Sequence, residues 1–140
     1  MKKYISVVVL LMFTFLSFGQ NNNTYEYIQL QKRYSFQDNE NQNRLSELLK
    51  VQFENMGYKV FYMEDGIPVD VQKDFCKVIT CDVEKGSSVF LTELTIVLKD
   101  CNKKILAKGS GSSRLKLRSK SYPDAIRQIF EKTSVGNLTK

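Results

Sequence analysis

The chain has 140 residues, with 21 Lys and Arg against 15 Asp and Glu for a net charge of +6, three cysteines and no histidine. Without histidine, Ser-His-Asp and Cys-His catalytic sets and the common histidine-ligated zinc sites cannot be assembled. The length suits one domain with one core.

Lys2 and Lys3 precede an apolar run from Ile5 to Leu16 broken only by Ser6 and Thr14, and the small residues Ser17 and Gly19 follow before Asn21, Asn22 and Asn23. This order predicts a secretory signal peptide over residues 1–19. The run is short of the roughly 20 residues that a membrane span needs, an uncleaved anchor being the alternative. The expected product begins at Gln20, crosses the inner membrane and is periplasmic or extracellular. No cysteine stands in the signal region to carry a lipid, so no stable membrane anchor is expected after cleavage. Residues 20–24 are expected to be disordered.

From Tyr25 to Phe36 alternation places Ile28, Leu30, Tyr34 and Phe36 on one side of a first strand. Residues 38–56 read as a helix, with Leu45, Leu48, Leu49, Gln52, Phe53 and Met56 as its apolar stripe and Gly57 as its left-handed stop. A short strand follows over 58–63, then a loop over 64–74 with Gly66 and Pro68. In that loop Glu64, Asp65, Asp70 and Asp74 are the one carboxylate group that could serve a hydrolase. Gly109 to Ser113 lacks the Lys-Ser/Thr ending of a phosphate loop, and no catalytic residue, metal ligand or cofactor site is assigned.

The second half reads as a meander. Residues 75–83 form a strand with Phe75, Ile79, Cys81 and Val83 inward, Lys77 being the exception. Residues 89–99 follow with Phe90, Leu94, Ile96 and Leu98 inward. A turn at Cys101-Asn102 pairs Leu98 with Ile105, Ile96 with Ala107 and Leu94 with Gly109. The last strand carries Ile105, Ala107, Gly109, Gly111, Ser113, Leu115 and Leu117 on its inner parity. Its outer parity carries Lys104, Lys108, Arg114, Lys116, Arg118 and Lys120. Glycine at 109 and 111 implies a helix packed close to the strand, or a bend in it. Ser121 then caps a final helix, with Asp124 as reciprocal partner and Tyr122, Ala125, Ile126, Ile129 and Phe130 inward.

Seven basic and no acidic residues lie between Cys101 and Pro123, whereas 36–100 holds twelve acidic and seven basic. Two readings of the basic strand stand side by side. It protects an exposed sheet edge from edge-to-edge association, or it is an anion-binding surface for glycolipid phosphates, anionic headgroups or an acidic protein. Nucleic acid is not an expected partner, because the compartment is wrong and no aromatics interleave the basic residues. Cysteine pairing depends on one turn. A tight reversal at Gly86-Ser87 puts Cys76 opposite Val97 and leaves three thiols, whereas a wider loop over 85–92 lets Cys76 meet Cys101. Cys81 is assigned to the buried face.

The helix ending in Gly57-Tyr58, the run Leu94-Thr95-Ile96-Val97-Leu98-Lys99-Asp100-Cys101, Gly111-x-Ser113-Arg114 and Tyr122-x-x-Ala125-Ile126-Arg127-x-x-Phe130 resemble a group of small uncharacterised secreted Gram-negative proteins. The order of elements is similar to α+β domains of outer-membrane lipoproteins and to the first domain of the Tol-Pal periplasmic propeller protein. The resemblance implies fold and compartment and carries over no catalytic residue. The expectation is one α+β domain over 25–133, a mostly antiparallel sheet with two helices on one face in the order βαββββα, and a flexible tail over 134–140. A cystatin-like arrangement, with the final helix docked elsewhere, is the alternative. The expected function is that of a non-enzymatic secreted envelope module that binds or supports another envelope component. Binding of an anionic glycolipid or polymer through the basic face is the second reading.

Overall fold

The computed structural model describes residues 24–138; the expected signal peptide and residues 20–23 lie outside them. The chain runs β1 (Tyr27–Leu30), a 3-10 turn into α1 (Leu45–Asn55), β2 (Lys59–Tyr62), α2 (Val69–Lys73), β3 (Val78–Lys85), β4 (Thr92–Lys99), β5 (Ile105–Ser113), α3 (Arg118–Lys132) and a closing 3-10 turn (Ser134–Asn137). One sheet has the order β2-β1-β3-β4-β5. β1 is parallel to β2 and to β3, while β3, β4 and β5 are antiparallel. The fold is α+β, but the sheet is mixed rather than mostly antiparallel. The order becomes βαβαβββα because the segment expected to be a loop contains α2. That segment returns the chain to the starting end of the sheet, so β3 enters alongside β1 in the same direction. Side-chain alternation has the same period in either direction and carries no sign of this.

One face of the sheet holds Ile28, Leu30, Ile79, Cys81, Leu94, Ile96 and Leu98, packed in a single cluster with Leu45, Leu49 and Phe53 of α1 and Ala125, Ile126 and Ile129 of α3. The Phe53 and Phe130 rings meet edge-on, 5.1 Å between centroids. The final helix thus packs on the same face as the first, unlike the cystatin-like alternative. On the other face Val71 of α2 packs with Tyr27 and Val78. β1 is therefore covered on both sides and all four of its residues are buried. It ends at Leu30, well short of Phe36, where Tyr34 donates its backbone N–H to the Gln37 side chain (2.8 Å) in a turn.

Local backbone chemistry accounts for the other boundaries. The helix expected from residue 38 starts late because Asn41, Asn43 and Arg44 have φ of 49°, 58° and 58°. It closes as expected at Gly57, φ 89°, whose N–H reaches Glu54 O (2.9 Å) while Tyr58 N–H reaches Phe53 O (3.1 Å). β3 begins at Val78 because the Asp74 carboxylate accepts the Cys76 N–H (3.1 Å) and winds Phe75–Lys77 into a 3-10 turn. Lys77, the exception to the alternation, stands outside the strand, and Phe75 is 42% exposed instead of inward. The β4–β5 pairing is displaced two residues from the expected one, with Leu98 opposite Ala107, Ile96 opposite Gly109 and Leu94 opposite Gly111. Asp100 Oδ1 widens the turn by accepting the N–H groups of Asn102 (2.8 Å) and Lys104 (2.9 Å), Lys103 being left-handed at φ 63°. An even displacement leaves the side chains from Ala107 onward on their expected faces, but a bulge at Leu98/Lys99 sets Ile105 opposite Lys99 and leaves it 53% exposed instead of inward.

The β3–β4 hairpin closes wide, through Gly86 N–H to Glu93 O (2.9 Å) around residues 86–91. Cys76 and Cys101, in turns at the opposite end of the sheet, are joined by a disulfide with Cα atoms 4.9 Å apart, and Cys81 is free and buried. The domain continues past residue 133, since Val135 of the closing turn is fully buried in the main cluster.

Candidate functional site

The last strand ends at Ser113, and this redistributes the six basic residues expected on one strand face. Lys104 sits in the β4–β5 turn, one end of β5. Lys108 lies mid-strand opposite Val97. Arg114 and Lys116 follow the other end of β5, and Arg118 and Lys120 lie in the first turn of α3. Ten residues of nearly extended chain separate Lys104 from Arg114, on the order of 30 Å, so no single surface contains all six. Four of them, Arg114, Lys116, Arg118 and Lys120, lie beyond one end of the sheet, and Lys85 at the end of β3 joins Arg114, Lys116 and Arg118 in the cleft described below.

α3 begins one turn earlier than the Ser121 cap predicts. Leu117 occupies the N-cap with an extended backbone and no side-chain acceptor, and its carbonyl accepts the N–H groups of Lys120 and Ser121, each at 2.9 Å. Ser121 is instead buried inside the helix, its hydroxyl bonded to that of Thr92 (2.8 Å) at the start of β4. Asp124 does not reach back to a cap. It pairs with Arg127 (2.8 Å) and Gln128 (3.3 Å), and hydrogen bonds from Ser113 and then Arg127 hold its carboxyl below the usual range. The acid nearest the basic end in sequence is thus committed elsewhere, and the first turn of α3 holds no acidic residue. Cations at a helix N-terminus oppose its dipole rather than complement it.

A cleft of about 340 Å³ opens between the 86–91 loop and residues 114–118, and Lys85, Phe90, Thr92, Arg114, Lys116 and Arg118 contribute to its walls. Among the described residues, none of the seven ion pairs includes Lys85, Arg114, Lys116, Arg118 or Lys120. The pairs lie elsewhere, as with Lys99–Asp82 (2.8 Å), or with Arg127 bridging Asp124 and Glu131. Beside these cations the loop tip presents Val89 and Phe90, 92% and 91% exposed, with Leu115 at 50% and Leu117 at 61%. Phe90, Leu115 and Leu117 were expected inward. Ser88 Oγ accepts the N–H groups of Phe90 and Leu91, both at 3.3 Å, which bends the chain before β4 begins, and β5 stops before residues 115 and 117. Sequence reasoning missed Lys85, Val89 and Phe90 as parts of this end. Ser88 ahead of two exposed apolar residues was the available signal.

The loop carboxylates are each engaged and are spread along the fold. Glu64 accepts the Lys32 backbone N–H (3.0 and 3.1 Å), Asp65 pairs with the Lys32 ammonium, Asp70 accepts the Tyr27 hydroxyl (3.4 Å), and Asp74 caps the turn before β3. Among the described residues no group of three or more Cys, Asp or Glu could hold a metal ion, and no helix is long and apolar enough to cross a membrane. A second cavity of about 360 Å³ is lined by Gly86, Glu93, Thr95, Ser110, Gly111, Ser112 and Gln128 and contains one carboxylate. Comparisons of the chain with protein-family models, with curated proteins and with solved structures found no match.

Proposed function

We propose that the protein is a non-enzymatic module of a Gram-negative cell envelope, exported by its first nineteen residues, that works by binding an anionic envelope component at the basic end of its sheet. The observation that carries this reading is the gathering of Lys85, Arg114, Lys116 and Arg118 around one cleft, with Lys120 in the adjoining helix turn, none of them with an ion-pair partner among the described residues. Like charges held together repel, and a partner of opposite sign relieves that repulsion and is steered toward it. Edge protection alone accounts less well for the arrangement. β5 is an edge strand, but its carbonyls at Lys108 and Ser112 are already covered by Ser134 (3.4 Å) and Gln128 (2.8 Å), and four of the cations lie beyond its end.

Binding of purified protein to a soluble polyanion, dextran sulfate, is the test. Replacing Arg114, Lys116 and Arg118 together by Glu weakens it at least about tenfold at low ionic strength, and salt near 1 M abolishes the wild-type interaction. Equal binding by the two proteins refutes the basic end as the contact. N-terminal sequencing of the product from cells expressing the whole chain finds Gln20 or a near neighbour first; retained Met1 on a membrane-bound product refutes the export.

A further inference from the structure

The basic end also exposes apolar side chains that a polyanion does not need. Val89 and Phe90 are adjacent, more than nine-tenths exposed, and stand at the tip of a hairpin loop. Their side chains contribute almost nothing to the core, and the loop is held by Ser88 and by the Gly86–Glu93 backbone bond. Leu115 and Leu117 lie on the segment across the cleft. Two apolar strips therefore flank a cleft whose walls hold Lys85, Arg114, Lys116 and Arg118. Apolar tips with cations beside them match the layering of an anionic bilayer, in which phosphate groups lie just outside the acyl region. A soluble acid chain would use the cations and leave Val89 and Phe90 in water.

We infer that this end of the domain docks on the surface of an anionic phospholipid bilayer, with Val89 and Phe90 entering the interface and Lys85, Arg114, Lys116 and Arg118 meeting the phosphates. This rests on the basic end being the contact surface, and it names the partner. Neither apolar strip spans the membrane; the attachment is peripheral and reversible, because two side chains bury little area and each cation near the surface adds a modest, salt-sensitive attraction.

The chain contains no tryptophan, so Phe90→Trp places a single reporter at the tip. The full chain carrying this substitution is mixed with phosphatidylglycerol–phosphatidylcholine vesicles and with pure phosphatidylcholine vesicles, the second controlling for the apolar N-terminal residues. The expected result is a blue shift of the tryptophan emission, and quenching by brominated acyl chains, with the anionic vesicles only. In co-sedimentation, Val89→Ser with Phe90→Ser lowers binding to anionic vesicles about tenfold or more, with unchanged melting temperature and unchanged binding to dextran sulfate. The Arg114, Lys116 and Arg118 charge reversal loses both. Emission that does not move, or a serine variant that sediments like wild type, overturns bilayer docking while dextran sulfate binding keeps the basic end as a contact surface. Capture of an acidic protein that needs Phe90, without vesicle binding, likewise overturns it. Wild-type failure to bind either dextran sulfate or vesicles overturns both readings.

Discussion

Opening the Cys76–Cys101 bridge tests how the lower end of the sheet is held. The two cysteines lie in surface turns, Cys76 in the 3-10 turn before β3 and Cys101 in the turn between β4 and β5, 25 positions apart in sequence. Cross-linking a loop of that length removes chain entropy from the unfolded state worth about 3.5 kcal/mol at 25 °C. With a urea slope of about 1–3 kcal/mol/M for a domain of this size, loss of the bridge lowers the unfolding midpoint by about 1.2–3.5 M. The perturbation is Cys76→Ser with Cys101→Ser, compared with the oxidised wild type, and with wild type in reductant to separate loss of the bond from loss of the side chains. Urea titration followed by circular dichroism reads the midpoint. Thiol counting on denatured, unreduced protein gives one reactive group, Cys81, which reacts slowly in the folded state because it is fully buried. Three reactive thiols, or midpoints that coincide in all three samples, refute the reasoning.

Gly111→Ala places a Cβ 2.2 Å from the carbonyl oxygen of Ala125 and 2.9 Å from Ile129 Cγ1. The backbone of α3 must move off the sheet, at a cost of about 2–3 kcal/mol, whereas exposed Ser112→Ala stays within about 0.5 kcal/mol; equal melting temperatures contradict the close contact. Alkaline pH destabilises the fold through two neighbours, Tyr34 and Cys81, since burial, the largest cause for each, pushes both groups above their ordinary ranges. Both stay protonated in the fold while the unfolded chain ionises near pH 8.5 and 10. Their contribution is therefore complete below pH 8.5, and it is lost at up to about 1.4 kcal/mol per pH unit for the thiol, twice that once the phenol joins. Cys81→Ala removes the first part of that slope in urea titrations between pH 8 and 10; an unchanged slope refutes the assignment.

Side-chain period and a few local rules determined much of this protein from its sequence. The inward parity of Ile79, Cys81 and Val83, and of Leu94, Ile96 and Leu98, survives in the structure because an even displacement of register cannot turn a strand over. Gly57 ends its helix because the left-handed position suits glycine, and Gly109 with Gly111 marked the face on which a helix packs. Strand direction and strand ends were decided by tertiary structure. Nothing in the alternation of Tyr27–Leu30 states that β1 lies inside the sheet, parallel to both neighbours and covered on both sides; that depends on where α2 carries the chain. The basic residues from 104 to 120 all share the even parity, yet the strand stops at Ser113, because a strand continues only while its neighbour supplies a ladder, and β4 begins at Thr92. Beyond that point alternation no longer assigns sides, and so Leu115, Leu117 and, across the hairpin, Phe90 face water beside the cations they were expected to be separated from.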